Sequence, residues 1–236
     1  MSIIRKATIN DFHQIYQLYK TVARHNLGNL TQEEYEITFE YVQEMVKTGL
    51  ERGLVLVIDR DGEIIGYIKA FTSKFKCLAH VLGDGTLMIH PKYQSGYGAK
   101  LFIKFLNEIK TNMKHILKFE IVPHEENKLA VQMYYKLGFK LEVKNEQKIR
   151  NYDGSFGAEL LMSWYNSNFS QDALNNYHLY LKTLITQINY NNHVIQNYIH
   201  NEQQQSLFND EVVISDRIYD INKSSNRFFQ DTSSAN

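Results

Sequence analysis

The period of hydrophobic positions changes repeatedly along the first two thirds of the chain. Ile3 to Ala7 alternate as in a half-buried strand, and Phe12, Ile15, Leu18 and Val22 then recur at helical spacing between Asp11 and Arg24. Thr31 with Glu34 three residues on reads as a capping box, and Phe39, Val42, Met45 and Val46 carry a second helical stripe until Gly49 stops it. Leu54 to Asp59 and Ile64 to Phe71 are β-rich runs joined through Asp61-Gly62, a dipeptide that accepts the positive φ angles of a tight hairpin. They predict adjacent antiparallel strands. His80 to Leu82 and Thr86 to His90 read as one strand interrupted at Gly83-Asp84-Gly85, where a bulge is expected. Helices follow from about Gly98 to Thr111 and from Lys128 to Leu137, with strands from Ile116 to Val122, Phe139 to Lys144 and Ala158 to Trp164. The predicted order is β-α-α-β-β-β-α-β-α-β-β.

Composition and charge narrow the function classes. The 236 residues are 43% hydrophobic and 13% aromatic, enough for a sizeable core and too much for a disordered chain. Lys+Arg and Asp+Glu number 26 each, so no global field draws the protein to nucleic acid or to an anionic membrane. Cys77 is the single cysteine, which excludes an intramolecular disulfide and a cysteine-based zinc cage and fits a reducing cytoplasm. The longest purely apolar run, Leu54 to Ile58, falls far short of the ~20 residues of a spanning helix, and Met1 to Asp11 lacks a signal-peptide core. A cytoplasmic chain is expected.

Charge also marks a boundary. From Asn166 onward four Lys/Arg face seven Asp/Glu, and the segment is rich in Asn and Gln without Gly or Pro. A mixed α/β body over residues 1–166 and a helical extension over 167–236 are therefore expected. In the extension, Leu174, Tyr177, Leu181, Leu184, Ile188, Ile195, Tyr198 and Ile199 form a stripe after a Ser170 cap. They predict one long helix to about Glu202, with Val212, Ile218, Ile221 and Phe228 on a shorter second one. The stripe either packs on the body or serves as a lid or a dimer contact; a body already covered by its own helices favours a second copy or another protein.

Candidate chemistry concentrates in two segments. His90 to Phe102, H-P-K-Y-Q-S-G-Y-G-A-K-L-F, runs from a strand end through two close glycines into a helix. Glycines let the backbone approach an anion, and a helix N-terminus offers unpaired N–H groups and the positive end of its dipole. This turn is a candidate pyrophosphate cradle, with a plain strand-to-helix turn as the alternative. A dinucleotide fingerprint would need a third glycine where Leu101 stands, which excludes that reading. Downstream, Asn127 to Phe139 reads N-K-L-A-V-Q-M-Y-Y-K-L-G-F. The order and spacing of Asn127, Ala130, Tyr134 and Gly138-Phe139 after the glycine turn resemble the GNAT superfamily of acetyl-CoA-dependent N-acetyltransferases. The resemblance covers about Ile3 to Tyr165, from Arg5-Lys6-Ala7-Thr8 to Asn151-Tyr152-Asp153-Gly154 before the last strand. One departure stands out: Gln94 is separated from Gly96 by Ser95 alone, where the family has two residues. Either the loop is one residue short with Gly96 and Gly98 in the glycine positions, which the spacing to Leu101 and Phe102 favours, or Tyr97 replaces the first glycine and Ala99 fills the second.

The resemblance implies an α/β (α+β) fold with a mixed, mostly antiparallel central sheet, splayed middle strands and flanking helices. It implies transfer of acetyl from acetyl-CoA to a primary amine by direct attack in a ternary complex, without a metal. The acceptor is a small molecule, a peptide N-terminus or a lysine. In that frame Gln94, Ser95, Gly96, Tyr97, Gly98 and Ala99 hold the phosphates, and the main chain of Leu87, Met88 and Ile89 meets the pantetheine arm at an unzipped strand edge. Pro123 cannot donate to a ladder there, which helps the strands part. Lys92, Lys100 and Lys104 either attract phosphates or form a solvated face. Asn127 caps its helix and bonds the cofactor arm. Tyr134 matches the tyrosine that returns a proton to the departing thiolate, a task its phenol, with an ordinary pKa of ~10, can perform; core packing is its alternative. Tyr135 is turned about 100° around the helix and reads as structural. Asp84 stands where the family carries a carboxylate base, with His90, Glu120 and ordered water as other carriers of the amine's proton. Arg24 to Leu30 and Arg150 to Phe156 correspond to acceptor-binding segments. A reading of another class is a non-catalytic acyl-CoA-binding module whose helical tail holds a protein partner.

Overall fold

A computed structural model describes residues 2–25, 30–93, 96–151 and 153–206. The chain divides into two compact units, Met1–Leu181 and Lys182–Asn236. The first holds β1 (Ser2–Lys6), α1 (Phe12–Arg24), α2 (Phe39–Arg52), β2 (Gly53–Arg60), β3 (Glu63–Thr72), β4 (Val81–Ile89), α3 (Tyr97–Asn112), β5 (Lys118–Ile121), α4 (Lys128–Lys136), β6 (Lys140–Arg150) and β7 (Phe156–Tyr165), in the predicted order. Helix α5 (Gln171–Ser206) begins in this unit and continues into the second. The strands form one sheet in the order β1-β2-β3-β4-β5-β7-β6, antiparallel throughout except for the parallel β4–β5 pair.

The sheet separates two cores. Along β2, Val55 and Val57 join Ile15, Leu18 and Val22 of α1 and Val42 and Val46 of α2, while Leu54, Leu56 and Ile58 join Leu101, Phe102 and Phe105 of α3 on the other face. Burial on both faces is why β2 reads as an unbroken apolar run rather than an alternating one. The Asp61-Gly62 turn has φ of 53° and 88°, as its sequence requires.

Two helix boundaries differ from the sequence pattern. Thr31 and Glu34 do not start α2; a reciprocal Glu33–Glu36 box closes a single turn of 3-10 helix, and Thr38 then caps α2 by accepting from the Tyr41 amide at 3.1 Å. Nor does Gly49 stop the helix. It is buried against β2, where a Cβ would lie 2.5 Å from Cγ2 of Val55, so this glycine serves close helix–strand approach and α2 runs on to Arg52. Strands β6 and β7 extend further into their hairpin than expected.

Ser170 caps α5 as predicted, its Oγ accepting from the Ala173 amide at 3.3 Å. Leu174 and Leu181 are buried within the first unit, and the Tyr177 ring stacks on His115 with centroids 3.9 Å apart. Part of the apolar stripe is thus covered by the body. The short helix expected around Val212 to Phe228 lies outside the described residues.

Nε2 of both His115 and His178 is buried without a hydrogen-bond partner among the described residues. Burial pushes the His115 imidazole down to about 4, and His178 adds to the shift. In the unfolded chain the same group takes its proton near pH 6.5. The folded state therefore keeps this contribution above about pH 6.5 and loses on the order of 3 kcal/mol as pH falls toward 4. Urea midpoints should drop across that window, and the drop should flatten in His115→Gln; equal slopes for both proteins would refute it.

Candidate active site

The site grows from an irregularity in β4. Lys69 pairs with Thr86 and Phe71 with Gly83, so Asp84 and Gly85 together face the single residue Ala70 of β3. This is the expected bulge, and Asp84 sits in it with φ of 51°. Its Oδ2 lies 2.7 Å from Nζ of Lys69, a lysine whose side chain is 0% exposed while that of Asp84 is 54% exposed. Beyond the bulge β4 loses its other neighbour: the parallel pairing with β5 consists of Val81–Lys118 and Leu82–Phe119. Strand β5 follows β7 instead, through Ile121–Met162, a Leu160 amide donating to Pro123 O at 2.9 Å and a His124–Glu159 bridge.

The parted strands open a cleft of about 470 Å³. Its walls come from Asp84 to Leu87 and Ile89 of β4, from Ile121 to His124, from Gly98 at the start of α3, and from Asn127, Ala130, Met133 and Tyr134 of α4 and its cap. Leu30, Thr31, Gln32 and Tyr41 close the side toward α1 and α2. Gly96 precedes α3 with φ of 76°, a left-handed conformation that favours glycine, and the first-turn amides of α3 have no partner within the helix. Asn127 caps α4, its Oδ1 accepting from the Ala130 amide at 3.2 Å. Tyr134 packs at a tilt against Phe102 and Phe139, with ring centroids 5.2 and 5.6 Å away, and burial pushes its phenol up to about 12.

Residues 51–141 match the family model of the acetyltransferase (GNAT) domain. That segment carries the GNAT acetyltransferase domain. With it comes the activity class, acyl transfer from acetyl-CoA. Solved structures of the same fold include an acetyltransferase of the GNAT family from Streptococcus pneumoniae, 18% identical over 70% of this chain and 99% of that one, with a TM-score of 0.63. A phosphinothricin acetyltransferase from Sinorhizobium meliloti in complex with acetyl-CoA is 16% identical over 72% and 90%, at 0.62. The ribosomal-protein-alanine N-acetyltransferase of Brucella melitensis is 17% identical over 69% and 99%, at 0.60.

Of the residues singled out in the sequence, Asp84, Leu87, Ile89, Gly98, Asn127 and Tyr134 share this cleft. The Met88 side chain turns into the α1/α2 core, leaving only its backbone to the strand edge. Tyr97 and Ala99 lie in the first turn of α3, while Gln94 and Ser95 fall outside the described residues. His90 and Glu120 do not line the cleft; His90 Nδ1 accepts from the Lys92 amide, and Glu120 pairs with Lys118 at 2.7 Å. Lys104 is held by Glu108 at 2.9 Å, and Tyr135 is exposed. Cys77 is exposed and does not line the cleft. Sequence reasoning missed Lys69, Tyr41 and Gln32. Lys69 left one signal, a lone cation in the apolar run Ile64 to Phe71. The described residues contain no group of three or more metal-ligating side chains and no helix long and apolar enough to cross a membrane.

Because the Asn127 side chain caps α4 by accepting from the Ala130 amide, Asn127→Ala should cost ~1 kcal/mol of stability, read as a lowered urea midpoint. An unchanged midpoint would mean that the cap adds nothing to the fold.

Proposed function

We propose that this protein is an N-acetyltransferase that moves acetyl from acetyl-CoA to a primary amine by direct attack in a ternary complex. The observation that carries the reading is the sharing of one cleft by a strand edge without a partner, a glycine-opened helix start, an aspartate and a protonated tyrosine. The cleft suits the donor's shape. Unpaired backbone of β4 around Leu87 to Ile89 can meet the amides of a pantetheine arm, as a further strand would. At Gly98 a Cβ would touch Ile89 at 3.7 Å and Leu87 at 3.8 Å, so a larger side chain there would grow into the space between strand and helix. The first-turn amides of α3 are suited to phosphate oxygens.

Proton movements follow from the two titratable groups. An acceptor ammonium gives one proton to the Asp84 carboxylate, and the freed lone pair forms the new C–N bond at the thioester carbonyl carbon. As the C–S bond breaks, Tyr134 passes its phenolic proton to sulfur, and the proton shed by the amide nitrogen restores the phenol. Burial of Tyr134 favours its protonated form, which a donor requires. The acceptor's side of the cleft pairs the Asp84 carboxylate with Tyr41 and the Gln32 amide, which donates to the Tyr41 hydroxyl at 3.0 Å.

CoA release from acetyl-CoA, followed with a panel of amines beside a calorimetric acetyl-CoA titration, tests the assignment. Tight binding with no release would favour a non-catalytic acyl-CoA-binding module. Tyr134→Phe should lower kcat ~100-fold or more while leaving acetyl-CoA affinity unchanged, because only the proton donor is lost. Equal turnover would remove Tyr134 from the chemistry. Gly98→Val should weaken acetyl-CoA binding at least ~10-fold in a folded protein; unchanged affinity would exclude the α3 turn as the phosphate site.

A further inference from the structure

Lys69 is a charged residue buried within the sheet. It lies mid-strand in β3 between Ile68 and Ala70, its side chain is 0% exposed, and its ammonium sits 4.5 Å from the centre of the Phe71 ring. Burial works against its charged form, and the group that favours that form is Asp84. An ammonium taken out of water is stabilising only when its partner is well placed. Here the partner sits in a backbone conformation that non-glycine residues rarely adopt, on a bulge that lifts it out of the β3–β4 register. A half-exposed aspartate at such a point has several rotamers within reach, and a fixed cation beneath it selects one.

We propose that Lys69 is a positioning residue for acetyl transfer: paired with Oδ2 of Asp84, it holds the carboxylate in one orientation at the lip of the cleft and leaves Oδ1 to receive the acceptor's proton. The inference rests on the reading of Asp84 as the base. Lys69 does not itself line the cleft and acts through Asp84 alone. Its replacement therefore affects the acceptor half of the reaction and spares donor binding.

The test uses the full chain carrying Lys69→Met, Asp84→Asn or both, with CoA release measured against tyramine, spermidine, an alanine-initiated peptide and a lysine-containing peptide. Acetyl-CoA affinity and far-UV circular dichroism report on the fold. Lys69→Met should lower kcat about 10- to 100-fold at unchanged acetyl-CoA affinity, a loss typical of a displaced reacting group. The double variant should be no slower than Asp84→Asn alone, since both substitutions disable one carboxylate. If Met is not tolerated at this buried position, Lys69→Gln carries the same comparison. Wild-type turnover in Lys69→Met beside a slow Asp84→Asn would overturn the role of Lys69 and leave the base assignment standing. Losses that multiply in the double variant would do the same. A fully active Asp84→Asn would overturn the base assignment and this inference together, as would tight acetyl-CoA binding without turnover of any of the four amines.

Discussion

Everything in the catalytic half of this molecule depends on two neighbouring strands ceasing to hydrogen-bond. Strands β4 and β5 share only the pairs Val81–Lys118 and Leu82–Phe119 before they part. Buried backbone groups must be satisfied somewhere, and on the β5 side they are: the chain follows β7 through Met162 and Leu160, with Pro123 contributing a carbonyl and lacking an amide. On the β4 side no strand among the described residues takes their place. Gly85 keeps the parted strands in contact at the point of divergence, where a Cβ would lie 3.2 Å from the Phe119 ring and 3.3 Å from Ile121. The opening is thus held by packing at its root and by β7 along one wall.

The aromatic core ties that opening to the candidate acid. Phe102 of α3, Phe119 of β5 and Phe139 before β6 contact one another, and Tyr134 joins them with centroid distances of 5.2 Å to Phe102 and 5.6 Å to Phe139. A phenol placed this way is rigid and remains protonated. The candidate base is built by the opposite means. Asp84 is half exposed on a bulge and is restrained by a buried charge from the next strand. One group is positioned by apolar packing and the other by an ion pair, so they respond to different substitutions.

The two cores also divide labour. The α3/α4 side lends Gly98, Asn127 and Tyr134 to the cleft, while α1 and α2 pack on the reverse face and α2 and the segment before it lend Tyr41 and Leu30 to Gln32. Gly49 shows how closely that second layer is drawn in, with helix α2 resting directly on Val55.

Much of this was readable from residue order because it depends on local physics. The element order, the Asp61-Gly62 hairpin, the bulge at Asp84, the Asn127 and Ser170 caps and the Tyr134 position all follow from spacing, turn chemistry or motif within a few residues of one another. The start of α2 did not, because Thr31, Glu33 and Thr38 all offer caps and only the docking of the helix stripe against β2 and β3 selects Thr38. Gly49 read as a stop because local propensity cannot register a strand passing 2.5 Å from an absent Cβ. His90 and Glu120 stood behind Asp84 as alternative proton carriers, and the sheet sends each to a different neighbourhood. Lys69 escaped notice for the same reason: it is 15 residues from Asp84 in the chain, and only the register of β3 against a bulged β4 brings its ammonium to the carboxylate. Sequence by itself determined which residues could do chemistry and which segments would be strand or helix; tertiary structure decided which of those residues meet, because strand register and the parting of β4 from β5 are properties of long-range pairing.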